Sequence, residues 1–161
     1  MDQVVSGGQT GVDRAALDAA IHIGIAHGGW CPKGRRAEDG RIADVYLLRE
    51  TESRNYAVRT EQNVIDSDAT LVLYRQILSG GTELTVKFAN RHRRRCHMVD
   101  LGGFEQWDQD QLEHSIESAK NWIVDNGIRV LNVAGPREST SRGIGKAAEA
   151  FLVRLFEACT H

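Results

Sequence analysis

Residues 4–24, "VVSGGQTGVDRAALDAAIHIG", contain the unit from which the rest of the chain can be read. Residues 3–6 (QVVS) have the composition of a short strand, and Gly7, Gly8 and Gly11 allow a tight turn after it. From Val12 onward, Ala16, Ala19 and Ile23 recur at helical spacing until Gly24 closes the stripe. Thr10 stands where an N-cap is expected, three residues before Asp13. In the first turn of that helix Asp13 reads as a partner of the helix dipole and Arg14 as a solvated cation. Strand, glycine turn and helix in this order make half of a βαβ crossover, so the fold turns on whether the pattern recurs.

It recurs along the chain. Residues 25–31 (IAHGGWC) read as a second strand, and 32–54 as a long charged loop broken by Pro32, Gly34 and Gly40. Asn55 can cap a helix over 56–66, with Tyr56, Thr60 and Val64 on one stripe and Arg59 and Asn63 paired at i, i+4 on another. Residues 69–74 (ATLVLY) are nearly continuously apolar, as a strand buried on both faces would be. "SGGTE" at 79–83 opens a helix with Thr82 as cap and Leu84 and Phe88 inward, and 96–101 follow as a fourth strand. Asp108 or Asp110 starts a helix that turns Leu112, Ile116, Ala119 and Ile123 inward and ends at Gly127; 129–134 (RVLNVA) is the fifth strand. After "GPRESTSRG", Ile144, Ala147, Ala148, Phe151, Leu152 and Leu155 mark a last amphipathic helix. The pattern predicts a single α/β domain over residues 1–161 with a mostly parallel sheet of about five to seven strands. In such a sheet the turns after strands one, three and five share one carboxyl edge, the edge where ligands bind.

Bulk properties narrow the function. A net charge of −2 argues against a general nucleic-acid binder, although 16 of the 20 basic residues are Arg, whose planar forks suit oxyanions. There is no apolar run long enough to span a membrane and no basic leader with an apolar core, so the expected location is cytoplasmic. Cys31, Cys96 and Cys159 fit neither a disulfide framework nor a metal or redox motif and are expected to be free thiols.

Gly7, Gly8, Gln9, Thr10 and Gly11 can aim several N–H groups at one point above a helix N-terminus, which describes an anion cradle, or can simply fit a tight turn. They form neither a Walker A loop nor a full G-x-G-x-x-G fingerprint. On the cradle reading, Gly8→Val abolishes anion binding without unfolding the chain. Ser79, Gly80, Gly81 and Thr82 repeat the design, with Glu83 as a first-turn acid. Lys33, Gly34, Arg35 and Arg36 after strand two, and Arg137, Glu138 and Ser139 after strand five, bring charge toward the same edge. His92 and His97 around Arg93–Arg95 lack metal spacing, and His22 and His27 do not share a helical face. Cys31 reads as a packed small hydrophobe or a thiol contact to a soft metal, and Trp30 as core or as a stacking plate. No nucleophile–base arrangement stands out, so neither catalytic residues nor protein metal ligands are assigned.

"SGGQTGVDRAALDAAIHIGIAHGGWCPKGRRAEDG", "YLLRETESRNYAVRTEQNVIDSDATLVL", "GGTELT" and "LNVAGPRES" together resemble the molybdenum-cofactor carrier family, which is related to the lysine-decarboxylase-like and cytokinin-activating (LOG) proteins. The resemblance implies a Rossmann-like α/β/α fold that binds the molybdenum cofactor, a pterin dithiolene with a terminal phosphate, or a related anion. It suggests Gly7, Gly8, Gln9, Thr10, Gly11, Lys33, Gly34, Arg35, Ser79, Gly80, Gly81 and Thr82 as ligand-facing, with Arg137, Glu138 and Ser139 joining them by their place on the edge. It further implies a homo-oligomer, dimer or tetramer, that delivers its cargo to a molybdoenzyme. A LOG-like nucleoside monophosphate phosphoribohydrolase using Glu83 or Glu138, and a nucleotide-sensing module, stay open as alternatives.

Overall fold

The computed structural model describes residues 1–160. In chain order its elements are β1 (Gln3–Val5), α1 (Val12–Ile23), β2 (Ala26–Gly28), β3 (Trp30–Cys31), β4 (Arg36–Ala37), β5 (Gly40–Arg41) and β6 (Arg49–Glu50). There follow α2 (Tyr56–Ile65), β7 (Ala69–Tyr74), α3 (Gly80–Arg91), β8 (Arg95–Asp100), α4 (Gln109–Asp125), β9 (Val130–Ala134) and α5 (Ile144–Thr160). Five strands form one parallel sheet in the order β2-β1-β9-β7-β8. Helices α1, α4 and α5 pack together on one face and α2 with α3 on the other, which makes a Rossmann-like three-layer domain.

The alternation of β7 shows how the layers are held. Ala69, Leu71 and Leu73 join the core under α1 and α5, where Phe151, Leu152, Leu155 and Phe156 are fully buried. Burying a side chain of that size contributes about 1.5–3 kcal/mol. On the opposite face Thr70 accepts a 3.1 Å hydrogen bond from Asn132 of β9, so the polar pair is satisfied inside the sheet. The smaller cluster of Val64, Phe88 and Ala89 seals α2 against α3.

Two segments depart from the sequence reading. The second strand does not run through 25–31: β2 ends at Gly28, and Gly29, at φ +122, turns the chain off the sheet. A Cβ at Gly29 would fall on the backbone of Ser6, so only glycine lets the chain leave so close to β1. β3 then pairs with β6 in a separate two-stranded sheet, and β4 with β5 in another. Residues 32–54 are therefore an ordered subassembly, fastened by Arg35. This side chain is buried, and its guanidinium donates to the carbonyls of Ile42, Ala43, Tyr46 and Leu48 at 2.8–3.2 Å.

The amino end of the sheet is closed by Asp68, whose carboxylate accepts the N–H groups of Val130 and Arg129 at 2.8 and 2.9 Å. The Val130 N–H bond, against the opposing effect of burial, holds the carboxyl below its ordinary pKa. A lowered folded-state pKa supplies stability above the unfolded value, near 4, that is lost as pH falls through the folded one. Thermal melts between pH 5 and 2 should thus show a steeper acid loss for wild type than for Asp68→Ala, and the variant should be about 1 kcal/mol less stable at neutral pH.

Candidate ligand-binding site

The carboxyl ends of β1, β7 and β9, adjacent through β9, open on a cavity of about 320 Å3. Its floor and far wall come from Gln9 and Asp13 on the first turn, Tyr56, Arg59 and Thr60 on α2, and Thr82 and Thr85 on α3. Ser79, Gly80 and Gly81 form one rim; Gly135, Pro136, Arg137, Ser139 and Thr140 form the other.

On the α3 rim the helix begins without a side-chain cap. Ser79 occupies the cap position but its hydroxyl makes no capping bond, and Thr82, expected as the cap, lies buried inside the first turn. The N–H groups of Thr82 and Glu83 return to the Ser79 carbonyl, which leaves those of Gly80 and Gly81 at the open end. A Cβ at either glycine would meet nothing within 4 Å. Unpaired N–H groups and the positive end of the helix dipole favour an anion at this rim.

Opposite it, Asp13 and Arg59 form an ion pair at 3.1 Å, with side chains only 4% and 12% exposed. Asp13 is the acid of the first turn of α1, as expected of a partner of the helix dipole, but it is buried and also paired with Arg59. Burial pushes its pKa up, and Arg59 and the Gln9 N–H pull it down without cancelling that rise. Arg59 does not pair with Asn63, whose side chain instead exchanges hydrogen bonds with the Trp30 backbone at 2.8 and 3.0 Å. Three guanidinium groups surround the Tyr56 ring: Arg137, Arg36 and Arg59 lie 5.4, 5.8 and 6.0 Å from its centroid.

The first glycine turn is packed by the protein itself. A Cβ at Gly7 would fall on the Arg59 guanidinium, one at Gly8 on Leu48 and Ile42, and one at Gly11 on the Pro136 carbonyl and the Arg137–Glu138 backbone. Gly8→Val is therefore expected to disturb the packing of residues 42–48 and not binding alone. Arg14 is no solvated cation: it donates to the Gly8 carbonyl at 2.9 Å and pairs with Asp39 at 3.0 Å. Nor does Thr10 cap α1, whose cap position is Gly11. Its hydroxyl donates to Glu38 and accepts the Glu138 N–H at 3.2 Å.

Glu38 joins three segments. Its carboxylate accepts from Thr10 and from both the N–H and the hydroxyl of Ser139, while its own N–H donates to the Gln9 side chain at 2.9 Å. Partial burial would raise its pKa, but the Ser139 and Thr10 hydrogen bonds outweigh this and hold the carboxyl below its usual range. Arg137 approaches the same carboxylate at 4.0 Å.

Of the residues singled out from the sequence, the cavity brings together Gln9, Ser79, Gly80, Gly81, Thr82, Arg137 and Ser139. Gly7, Gly8, Thr10 and Gly11 lie behind it in the supporting turn. Arg35 is buried in the 32–54 subassembly, where Lys33 is exposed and its N–H is bonded to Ser53, and the Gly34 N–H meets Glu50. Glu138 caps the start of α5, accepting the N–H groups of Gly143 and Gly145. Glu83 pairs with Lys87 at 2.8 Å on the outside of α3. Cys31 is fully buried, and burial raises its thiol pKa. Tyr56, Arg59 and Thr60, read from the sequence only as stripe residues of a helix, and Thr85, not singled out there, also line the cavity, and a signal was present: the buried stripe of α2 is Thr60, Asn63 and Val64, polar where an ordinary packing stripe is apolar. Among the described residues no group of His, Cys, Asp and Glu is arranged to hold a metal ion, and no helix is long and apolar enough to cross a membrane.

Residues 4–156 match the circularly permutated YpsA SLOG family. No curated protein matches the sequence. Among solved structures, the fold is similar to a crystal structure from Syntrophus aciditrophicus named "Putative molybdenum carrier protein", with 41% identity and a TM-score of 0.87 over 100% of this chain and 96% of that one.

Proposed function

Because this chain belongs to the circularly permutated YpsA SLOG family, we propose that its cavity binds a phosphorylated small molecule, and that this ligand is the molybdenum cofactor, held and passed on without chemical change. The observation that carries the reading is the uncapped N-terminus of α3 opening on a cavity lined by Arg59 and Arg137. The resemblance to a 41% identical protein named as a molybdenum carrier supports the choice of cargo.

Ser79, Gly80, Gly81 and Thr82 would hold the terminal phosphate, and Gln9, Arg137 and Ser139 would face the remainder. Gly7, Gly8, Thr10, Gly11 and Glu138 would position those groups, while Lys33, Gly34 and Arg35 would act through the 32–54 subassembly. The cavity residues fit the phosphate end. They offer no thiol, so molybdenum would remain on the sulfur atoms of the pterin itself. We further propose a cytoplasmic homo-oligomer that serves a molybdoenzyme. The hydrolase alternative has less support, since neither Glu83 nor Glu138 lines the cavity.

The test is survival of molybdenum cofactor in air with the purified protein. Protection beyond that given by an inert control protein is expected, and no gain over the control would sink the carrier reading. Release of free base from nucleoside monophosphates would favour the hydrolase instead. A paired variant, Gly81→Asp, puts a carboxylate where the anion is expected to sit. Phosphate binding should weaken by about tenfold or more from charge repulsion. The fold should be kept, since an acid in a first helical turn is itself stabilising by about 0.3–1 kcal/mol.

A further inference from the structure

We infer that anion binding in this cavity is coupled to a proton: Asp13 takes one proton from solvent as the anion enters, Arg59 turns from Asp13 to the anion, and the proton is returned when the anion leaves. The inference rests on the anion-binding reading of the cavity and adds to it a condition under which cargo is held or let go.

Asp13 is the one carboxylate among the described residues lining the cavity, and Arg59 lies against it at 3.1 Å with both side chains largely buried. Two N–H donors beside this pair are unspent: Arg59 Nε and Gln9 Nε2 are buried and have no partner among the described residues. The sense of the Gln9 amide is fixed, because its oxygen accepts the Thr10 and Glu38 N–H groups at 3.0 and 2.9 Å and leaves the amino group as the free end. Gln9 is 5% exposed and lines the cavity, as Arg59 does. A buried donor without an acceptor is costly to keep, and an oxyanion at the cavity floor answers both.

Charge then decides the state of Asp13. The anion and the Asp13 carboxylate would share one buried guanidinium, and two like charges in such a site do not both stay ionised. Arg59 cannot shed a proton, so Asp13 must gain one. Around Asp13 stand Arg59 from α2, the Gln9 N–H of its own turn at 3.4 Å and the Ser6 hydroxyl after β1. Burial already pushes its pKa up, and Arg59 is the main pull the other way. Once Arg59 serves the anion, that pull is spent. The other charged groups at the cavity keep their form. Arg137 stays a guanidinium, and Glu38, which it approaches at 4.0 Å, stays a carboxylate because the Ser139 and Thr10 hydrogen bonds outweigh its burial. No histidine is among the described residues that line the cavity.

The experiment is a calorimetric titration of wild type with inorganic sulfate, an anion that does not itself titrate near neutrality, with inorganic phosphate in parallel. It is run from about pH 5 to pH 8, where a raised carboxyl changes charge, in buffers of different ionisation enthalpy. The heat should depend on the buffer, reporting uptake of up to one proton per sulfate. Affinity should fall by up to about tenfold per pH unit as pH rises, the slope of a single linked proton. Asp13→Asn, which keeps the shape and loses the charge, should bind sulfate about tenfold more tightly than wild type at pH 8, with neither buffer dependence nor pH slope. A merely structural role for Asp13 predicts weaker binding instead. Arg59→Met, whose Asp13 is already neutral, should take up no proton, and thermal melts establish that each variant is folded. Wild-type sulfate affinity that is equal at every pH and in every buffer would overturn the inference and leave the anion site standing. So would a pH slope that survives in folded Asp13→Asn, or proton uptake that survives in folded Arg59→Met. Failure of wild type to bind sulfate or phosphate at any pH would overturn the anion site and the inference together.

Discussion

Asp13→Ala is expected to lower stability by about 3–5 kcal/mol, the cost of leaving one partner of a buried ion pair without the other. Among the described residues Arg59 has no second carboxylate within ion-pair distance. Its Nη1 is committed to Asp13 at 3.1 Å, its Nε is buried without a partner, and a guanidinium cannot shed its proton. The reverse variant, Arg59→Met, should cost less at pH 5, because Asp13 can accept a proton and burial already pushes its pKa up. A carboxyl with a raised folded-state pKa contributes stability at low pH that is lost as pH rises through that value. The penalty of Arg59→Met should therefore grow from pH 5 to pH 8, while that of Asp13→Ala shrinks as the wild type loses the contribution of its raised carboxyl. Urea melts of both variants at the two pH values read this directly, and equal, pH-independent losses would show that the pair is not held as described.

Gly11→Ala should be the other severe substitution, costing about 2–4 kcal/mol from backbone strain and steric overlap together. Gly11 has φ +77 and ψ −130, a conformation open in practice to glycine alone, and its missing Cβ leaves room for the Pro136 carbonyl and the Arg137–Glu138 backbone. The neighbour there is main chain and cannot rotate away. Displacing it also moves Arg137, so ligand binding and thermal stability should fall together. Gly81→Ala is the control: its Cβ meets nothing within 4 Å, and its melting temperature should match wild type.

The layered fold was readable because it depends on periodicity, which is local. Ile144, Ala147, Ala148, Phe151, Leu152 and Leu155 face inward as their spacing requires, and ATLVLY is the buried strand its composition suggests. The placement of the three glycine-bearing turns on one sheet edge followed from the same alternation. Partners of polar side chains were not readable, since they are chosen by the tertiary neighbourhood. Thr10 looks like a cap, yet it answers to Glu38 and Glu138, far away along the chain. Arg59 looks like half of a helical i, i+4 pair, yet it crosses to Asp13 on another element. The same limit applies to Arg35: a basic residue in a charged loop suggested an exposed anion ligand, and only the folded loop brings four carbonyls around it.

The exit of the chain at Gly29 makes the two edges of the sheet unequal. By ending β2 after three residues it leaves one flank of the sheet short, and His27 occupies that flank by accepting the Leu47 N–H at 3.2 Å. The opposite flank, β8, runs six residues with half of its backbone groups unspent and Met98 exposed. Of the two edges, only β8 offers a long row of backbone groups to which a further strand could add; the edge at β2 is too short and is covered by the His27–Leu47 contact.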